Sequence, residues 1–169
     1  LSFSVFFRKF FLDFLRGSSR EIMIEERDNN LKKNYPHIEI VKTRWSDNDI
    51  YGHVNNVIYY SYFDTVINNY LIKHAGFDIE KSAVIGIVVE TKCRFNQSVS
   101  YPEDIEVGLK ISKIGNSSVR YELAVFRAGQ DEEAACGYFV HVFVDRVSRK
   151  PVSLPDEILS ALLPLLGKQ

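Results

Sequence analysis

Residues 56–75 constrain this chain more than any other stretch, because they read as a single long helix that carries apolar residues on several sides. Val57, Tyr60, Phe63, Asp64, Ile67 and Leu71 step along it, and Ala75-Gly76 supplies a C-terminal stop. A helix apolar nearly all round must be buried on most faces, so the rest of the chain has to wrap it. Strand patterns dominate what surrounds it. Residues 38–45 mix β-branched and charged side chains, and 84–95 open on a β-branched run. Residues 105–113 place Ile105, Val107, Leu109 and Ile111 on one face, and Gly115-Asn116 reads as a hairpin turn. Residues 118–127 alternate through Val119, Tyr121, Leu123 and Val125, and 134–145 carry Cys136, Tyr138, Val140, Val142 and Val144 on one face. Ser153-Leu154-Pro155-Asp156-Glu157 opens a short last helix. The order strand, long helix, four strands predicts an α+β fold: one curved antiparallel sheet around one buried helix.

At 169 residues the chain suits one core and is too short for two ordinary domains. We divide it into an N-terminal segment and linker, 1–35, and one domain, 36–166. Net charge near -1 gives no general attraction to nucleic acid or anionic membranes. Cys93 and Cys136 fit neither a CxxC pair nor a metal cluster and read as two reduced thiols in strands. In the first segment Phe3, Phe6, Phe7, Phe10, Phe11, Phe14 and Leu15 recur at helical spacing, with Arg8, Lys9, Arg16 and Arg20 among them. It is too short and too charged to span a bilayer. A mitochondrial presequence, an interfacial anchor and an upstream extension before Met23 are its three readings, and membrane contact is expected only through residues 1–20. The expected location is cytoplasmic, or mitochondrial if residues 1–22 are a presequence. Residues 24–36 read as a linker.

The chemistry is expected in the turn between the first strand and the helix, Arg44-Trp45-Ser46-Asp47-Asn48-Asp49-Ile50-Tyr51-Gly52-His53-Val54-Asn55-Asn56. Ionisable and amide groups are concentrated there beyond what folding needs, since unpaired buried polar groups are costly. Asp49 is the expected nucleophile or general base. Asp47, two residues away, points to the other side of an extended segment and reads as structural. Gly52 permits a turn that could bring His53 beside Asp49, where a hydrogen bond would orient the imidazole. Asn55 is a natural N-cap, and the free amides at Asn56 suit a carbonyl gaining negative charge. No GxSxG, P-loop, GxGxxG or HExxH occurs, and His37, His74 and His141 show no metal-ligand spacing.

These residues, with Tyr59-Tyr60-Ser61-Tyr62-Phe63-Asp64, Val144-Asp145-Arg146 and Lys150-Pro151-Val152-Ser153-Leu154-Pro155, resemble the hotdog-fold acyl-CoA thioesterases of the 4-hydroxybenzoyl-CoA thioesterase-like group. The resemblance runs from about Ile38 to Leu163. It implies hydrolysis of an acyl-CoA thioester without metal or organic cofactor, in a homodimer or homotetramer. Asp49 would be the catalytic acid residue, the Asn56 backbone amide would polarise the carbonyl, and His53 matches the histidine of HVNN-bearing relatives. Those relatives carry asparagine two residues before that histidine, where this chain has Tyr51. Gly52, Val54, Asn55 and Tyr59 are the expected substrate contacts. Two other functions compete. Hotdog enoyl-thioester hydratases also pair Asp with His, but usually space them further apart with Asn-Pro between, whereas Ile50-Tyr51-Gly52 stands here. A non-catalytic acyl-CoA-binding module is the other. Lys92, Arg94, Lys110, Lys113, Arg120 and Arg127 are candidate phosphate contacts, with solvated strand residues as the plainer reading.

Overall fold

The structure is a computed structural model that describes residues 31–166. Its strands are β1 (His37–Lys42), β2 (Val84–Phe95), β3 (Asp104–Ile114), β4 (Ser118–Arg127) and β5 (Glu133–Asp145). The helices are α1 (Asn56–Ala75) and α2 (Asp156–Leu162), with short 3-10 turns at Lys32–Asn34, Trp45–Asp47 and Leu163–Leu165. The five strands form one antiparallel sheet in the order β1-β3-β4-β5-β2. Thus β3, β4 and β5 are successive hairpins, while β1 and β2 occupy opposite edges. The aromatic stripe expected over residues 3–15 lies outside the described residues. Among the described residues no helix is long and apolar enough to cross a membrane.

Register explains the core. Val107 stands opposite Val125, Leu109 opposite Leu123, Ile111 opposite Tyr121, and Tyr121 in turn opposite Phe139. Directly paired residues share a sheet face, so the β3 and β4 alternations land on the same side, and all of these side chains are buried; on β5 it is Phe139, His141 and Phe143 that join them, while the expected set Cys136, Tyr138, Val140, Val142 and Val144 lies on the other face. That side carries α1. The helix starts where Asn55 accepts the Val57 amide (3.2 Å) and stops at Gly76, whose φ of +62° is the left-handed C-cap conformation. Its buried stripe is Tyr59, Tyr62, Phe63, Val66, Ile67, Tyr70 and Leu71, an i, i+3, i+4 series. The expectation of burial on most faces is therefore corrected: among the described residues one face is covered, and Val57 is 61% exposed. α2 packs beside α1, where the Tyr70 hydroxyl donates to the Ala161 carbonyl at 2.8 Å.

Two other expectations change. The first strand ends at Lys42 rather than reaching Trp45, because Thr43 turns its hydroxyl to the Glu103 carbonyl (2.6 Å) and Trp45–Asp47 winds into a 3-10 turn. The end of the linker is not loose. Tyr35 is buried on the outer face of the sheet, its ring 5.6 Å from that of Phe126. A Cβ at Gly108 would fall 2.6 Å from Tyr35 Cγ, so glycine there makes the seat for the ring. Lys32 ties the same turn to Glu106 at 2.9 Å. Burying a large side chain of this kind contributes about 1.5–3 kcal/mol.

Candidate active site

The turn between β1 and α1 is built around Asp47, which is only 1% exposed. Its carboxylate accepts from the Arg44 backbone amide (2.8 Å), Arg44 Nε (3.2 Å) and the Tyr62 hydroxyl (2.7 Å). Its carbonyl accepts from the Asn55 amide at 2.8 Å. One buried residue thus fastens the entry of the loop, its exit and the second turn of α1. Burial first, and then the bond to Asp47, push the Tyr62 hydroxyl far above its ordinary pKa, so it stays protonated and donates. This is the structural role expected for Asp47, set by the 3-10 turn at Trp45–Asp47 rather than by alternation along an extended segment.

Beyond Asp47 the chain folds back as a miniature hairpin. Asn48 pairs with Val54, and the Asp49 amide donates to the His53 carbonyl at 2.8 Å. The Gly52 amide closes the reverse turn on the Asp49 carbonyl at 3.0 Å with Gly52 at φ +79°. A Cβ at Gly52 would meet nothing within 4 Å, so its glycine is needed for backbone geometry alone. Gly52→Ala is therefore expected to cost about 1–2 kcal/mol of folding stability, the left-handed penalty of an L-residue. Urea denaturation reads this, and an unchanged midpoint would mean the turn relaxes freely.

Asp49 sits half-buried at the tip of this hairpin. Its Oδ1 accepts the Tyr51 amide (2.8 Å) and, more weakly, the His53 amide (3.4 Å). Oδ2 has no hydrogen-bond partner among the described residues. One oxygen is anchored and the other is free, an arrangement that fixes the direction of the free lone pairs. The expected imidazole bond from His53 is not formed: His53 reaches Asp49 through its backbone, because the 49–53 closure places the amide, not the ring, over the carboxylate. Among the described residues, the free group at the helix start is the Asn56 amide. Asn55 caps Val57, the Ile58 amide bonds to the Asn55 carbonyl at 2.9 Å, and Asn56 lies exposed ahead of them. A helix N-terminus with an unpaired amide favours developing negative charge.

Of the expected substrate contacts, Gly52 is exposed and Asn55 half-buried, whereas Val54 and Tyr59 are 5% and 3% exposed and belong to the core. Val54 pins the hairpin by donating to the Val99 carbonyl (2.8 Å), and Tyr59 packs on Phe95 with ring centroids 5.1 Å apart. Both hold the turn from behind. The loop after β2 is its second support, since the Tyr101 amide donates to Asn48 Oδ1 at 3.0 Å. Tyr62, Val99 and Tyr101 were not singled out from the sequence for this role. Tyr62 carries the one usable signal, a hydroxyl on the buried stripe of a helix, which needs a partner.

The basic strand residues are largely committed. Arg127 grips Glu103 through two bonds of 2.7 and 2.9 Å, Arg120 bonds Glu122 at 2.7 Å while lying over Tyr138, and Lys110 lies over Tyr35. Cys93 and Cys136 are free thiols, and burial raises the Cys93 pKa to about 12. Among the described residues no cluster of three His, Cys, Asp or Glu could hold a metal ion.

Residues 43–162, from the end of β1 through α2, match the thioesterase-like superfamily. The chain belongs to that family. It is 30% identical over 135 residues to the protein YsmA of Bacillus subtilis, across 78% of this chain and 88% of that one. Its fold superposes on the crystal structure of the PA5185 protein from Pseudomonas aeruginosa with a TM-score of 0.81 and 51% identity, covering 82% of this chain and 96% of that one. A thioesterase from Thermus thermophilus, solved in complex with coenzyme A and Zn, superposes at TM-score 0.67 with 27% identity, over 81% and 98% of the two chains. The sheet wrapped on α1 is thus the hotdog fold of these thioesterases, and the match includes the whole Asp47–Asn56 turn.

Proposed function

We propose that this chain hydrolyses acyl-CoA thioesters to the free acid and coenzyme A. The observation that carries the reading is the pairing, in one short turn, of a carboxylate with one oxygen anchored and one free and an unpaired helix-start amide. Membership of the thioesterase-like superfamily and likeness to a coenzyme A-bound thioesterase supply the substrate class. In the base form of the mechanism Asp49 takes a proton from water, and the hydroxide attacks the thioester carbonyl carbon. The Asn56 amide holds the resulting oxyanion; collapse breaks the C–S bond and the thiolate leaves with the proton. In the nucleophile form Asp49 attacks the carbonyl carbon directly and the C–S bond breaks to release the thiolate; water then opens the mixed anhydride at the Asp49 carbonyl, freeing the acid and passing its proton to the thiolate. One well-placed donor to the oxyanion contributes about 3 kcal/mol. His53 and Asn55 frame the turn, and Gly52 keeps it open.

A screen over short, long and aromatic acyl-CoAs, read by thiol release, tests the activity, and no release from any of them sinks it. Single-turnover hydrolysis in heavy-oxygen water separates the two forms: label appears in Asp49 if it attacks, and only in the product acid if it acts as base. Loss of the enoyl chromophore from crotonyl-CoA would instead reveal a hydratase.

The working unit is proposed to be a homodimer or homotetramer. Among the described residues β2 is an edge strand with an unpaired outer side and exposed Ile87, Val88 and Val89, the kind of edge that monomeric proteins protect. In the turn, Ile50 and Tyr51 are further exposed apolar side chains, 93% and 81% exposed. Val89→Arg is expected to weaken association, seen as a lower mass by light scattering. A native chain that is monomeric at micromolar concentration would refute the assembly.

A further inference from the structure

The α1-facing side of the sheet is mostly apolar; apart from His37 and Glu39 at the β1 edge it holds a buried polar pair on β4 and β5. His141 on β5 is 3% exposed and Tyr121 on β4 is fully buried, with their rings edge to face and centroids 5.1 Å apart. Neither imidazole nitrogen of His141 nor the hydroxyl of Tyr121 has a hydrogen-bond partner among the described residues. Unpaired buried polar groups are costly, and phenylalanine and leucine could fill the same positions without that cost. Burial lowers the His141 pKa to about 4, so near neutral pH the ring offers one donor and one acceptor. Room for the ring is left by β2, where a Cβ at Gly86 would lie 3.0 Å from His141 Nδ1.

A line of rings connects this place to the turn. Phe139, two residues before His141, has its centroid 6.3 Å from the imidazole, 6.1 Å from Tyr60 and 6.2 Å from Phe63. Tyr60 stands about one helical turn beyond Asn56 and is packed at the margin of the core. An acyl chain whose carbonyl is held at Asn56 could run under the first half of α1 along these rings and end at His141. The residues that share the sheet face around His141, namely Gly86, Val88, Val119, Phe139 and Phe143, carry no charge. A carboxylate would be buried there without a counter-ion. A hydroxyl can both give and take a hydrogen bond, which matches the imidazole and phenol.

We propose that His141 and Tyr121 form the polar far end of the acyl-binding space and select acyl groups bearing a distal hydroxyl. This rests on the acyl-CoA reading of the turn. The test compares hexanoyl-, octanoyl- and decanoyl-CoA with their ω-hydroxy counterparts on wild type, Tyr121→Phe and His141→Leu. Wild type is expected to favour the hydroxylated member at one chain length by about tenfold or more in kcat/KM, and both variants to bring that ratio towards one. A ratio of one in wild type at every length, or a preference unchanged in both variants, overturns the inference. Calorimetry with the free ω-hydroxy and plain fatty acids keeps the two readings apart. If no thioester is cleaved, the thioesterase reading fails, yet tighter binding of the hydroxy acid that Tyr121→Phe abolishes still supports the polar end. Equal binding of the two acids overturns it. The ¹⁵N resonances of the His141 ring should move with the hydroxy acid and not with the plain one. Tyr121→Phe removes a single oxygen from an otherwise unchanged core, so a folded variant is secured.

Discussion

Asp49→Asn is expected to lower kcat/KM for acyl-CoA hydrolysis by about a hundred- to ten-thousand-fold, the range for removing a positioned general base. The substitution is close to isosteric and leaves an amide oxygen to accept the Tyr51 and His53 amides that now bond Oδ1. The miniature hairpin should therefore keep its shape, and the thermal midpoint should stay close to that of wild type. What is lost is the negative charge on the free oxygen, and with it either the proton acceptor or the attacking atom. Thiol release measured on the substrates that wild type cleaves gives the result directly. Near-normal turnover of those substrates by Asp49→Asn would remove Asp49 from the chemistry and leave the turn without an ionised group placed to act.

The second large effect is on folding. Asp47→Ala takes away a buried carboxylate that holds Arg44 twice and Tyr62 once. The Tyr62 hydroxyl is left buried without a partner, the Arg44 amide loses its acceptor, and each such orphan costs about 1–3 kcal/mol. A total of roughly 2–5 kcal/mol is expected by urea denaturation. Tyr62→Phe, which removes one bond and leaves Asp47 its two others, should cost only about 0.5–1.5 kcal/mol. Activity should fall in Asp47→Ala as well, since Asn55, and with it the helix start, hangs from the Asp47 carbonyl. The two aspartates are thus told apart by opposite signatures: Asp49→Asn spares stability and removes turnover, while Asp47→Ala lowers stability first. An Asp47→Ala protein as stable as wild type would contradict the role assigned to that carboxylate.

The features legible in the sequence were those written in neighbouring residues. Asn55 and Gly76 mark the ends of α1 by capping chemistry, and the alternation of Val119, Tyr121, Leu123 and Val125 marks a strand with one buried side. The covered face of α1 was not legible, because apolar side chains such as Val57 and Ile72 stand on its open side as well. Partners distant in sequence were not legible either. Nothing near Asn48 announces Tyr101, and nothing near Tyr35 announces that Gly108 leaves a seat for its ring. The position of the His53 imidazole depended on how the hairpin closes, which spacing alone does not determine.

The strand order has a kinetic side. The hairpins of β3, β4 and β5 join neighbours in the chain, and contacts of this local kind can form early. The Asp47–Asn56 turn has no such independence. It is fastened by Thr43 to Glu103, by Val54 to Val99 and by Asn48 to Tyr101, contacts that close loops of some fifty residues and wait for β1 and β2 to reach the two edges. During refolding, pulsed hydrogen exchange should protect the hairpin amides of β4 before those of Val54 and Tyr101, and the reverse order would refute this sequence of events. A chain caught part-way would own most of its sheet and lack the assembled turn, so any function proposed for that turn reports the last closures of the fold rather than the first.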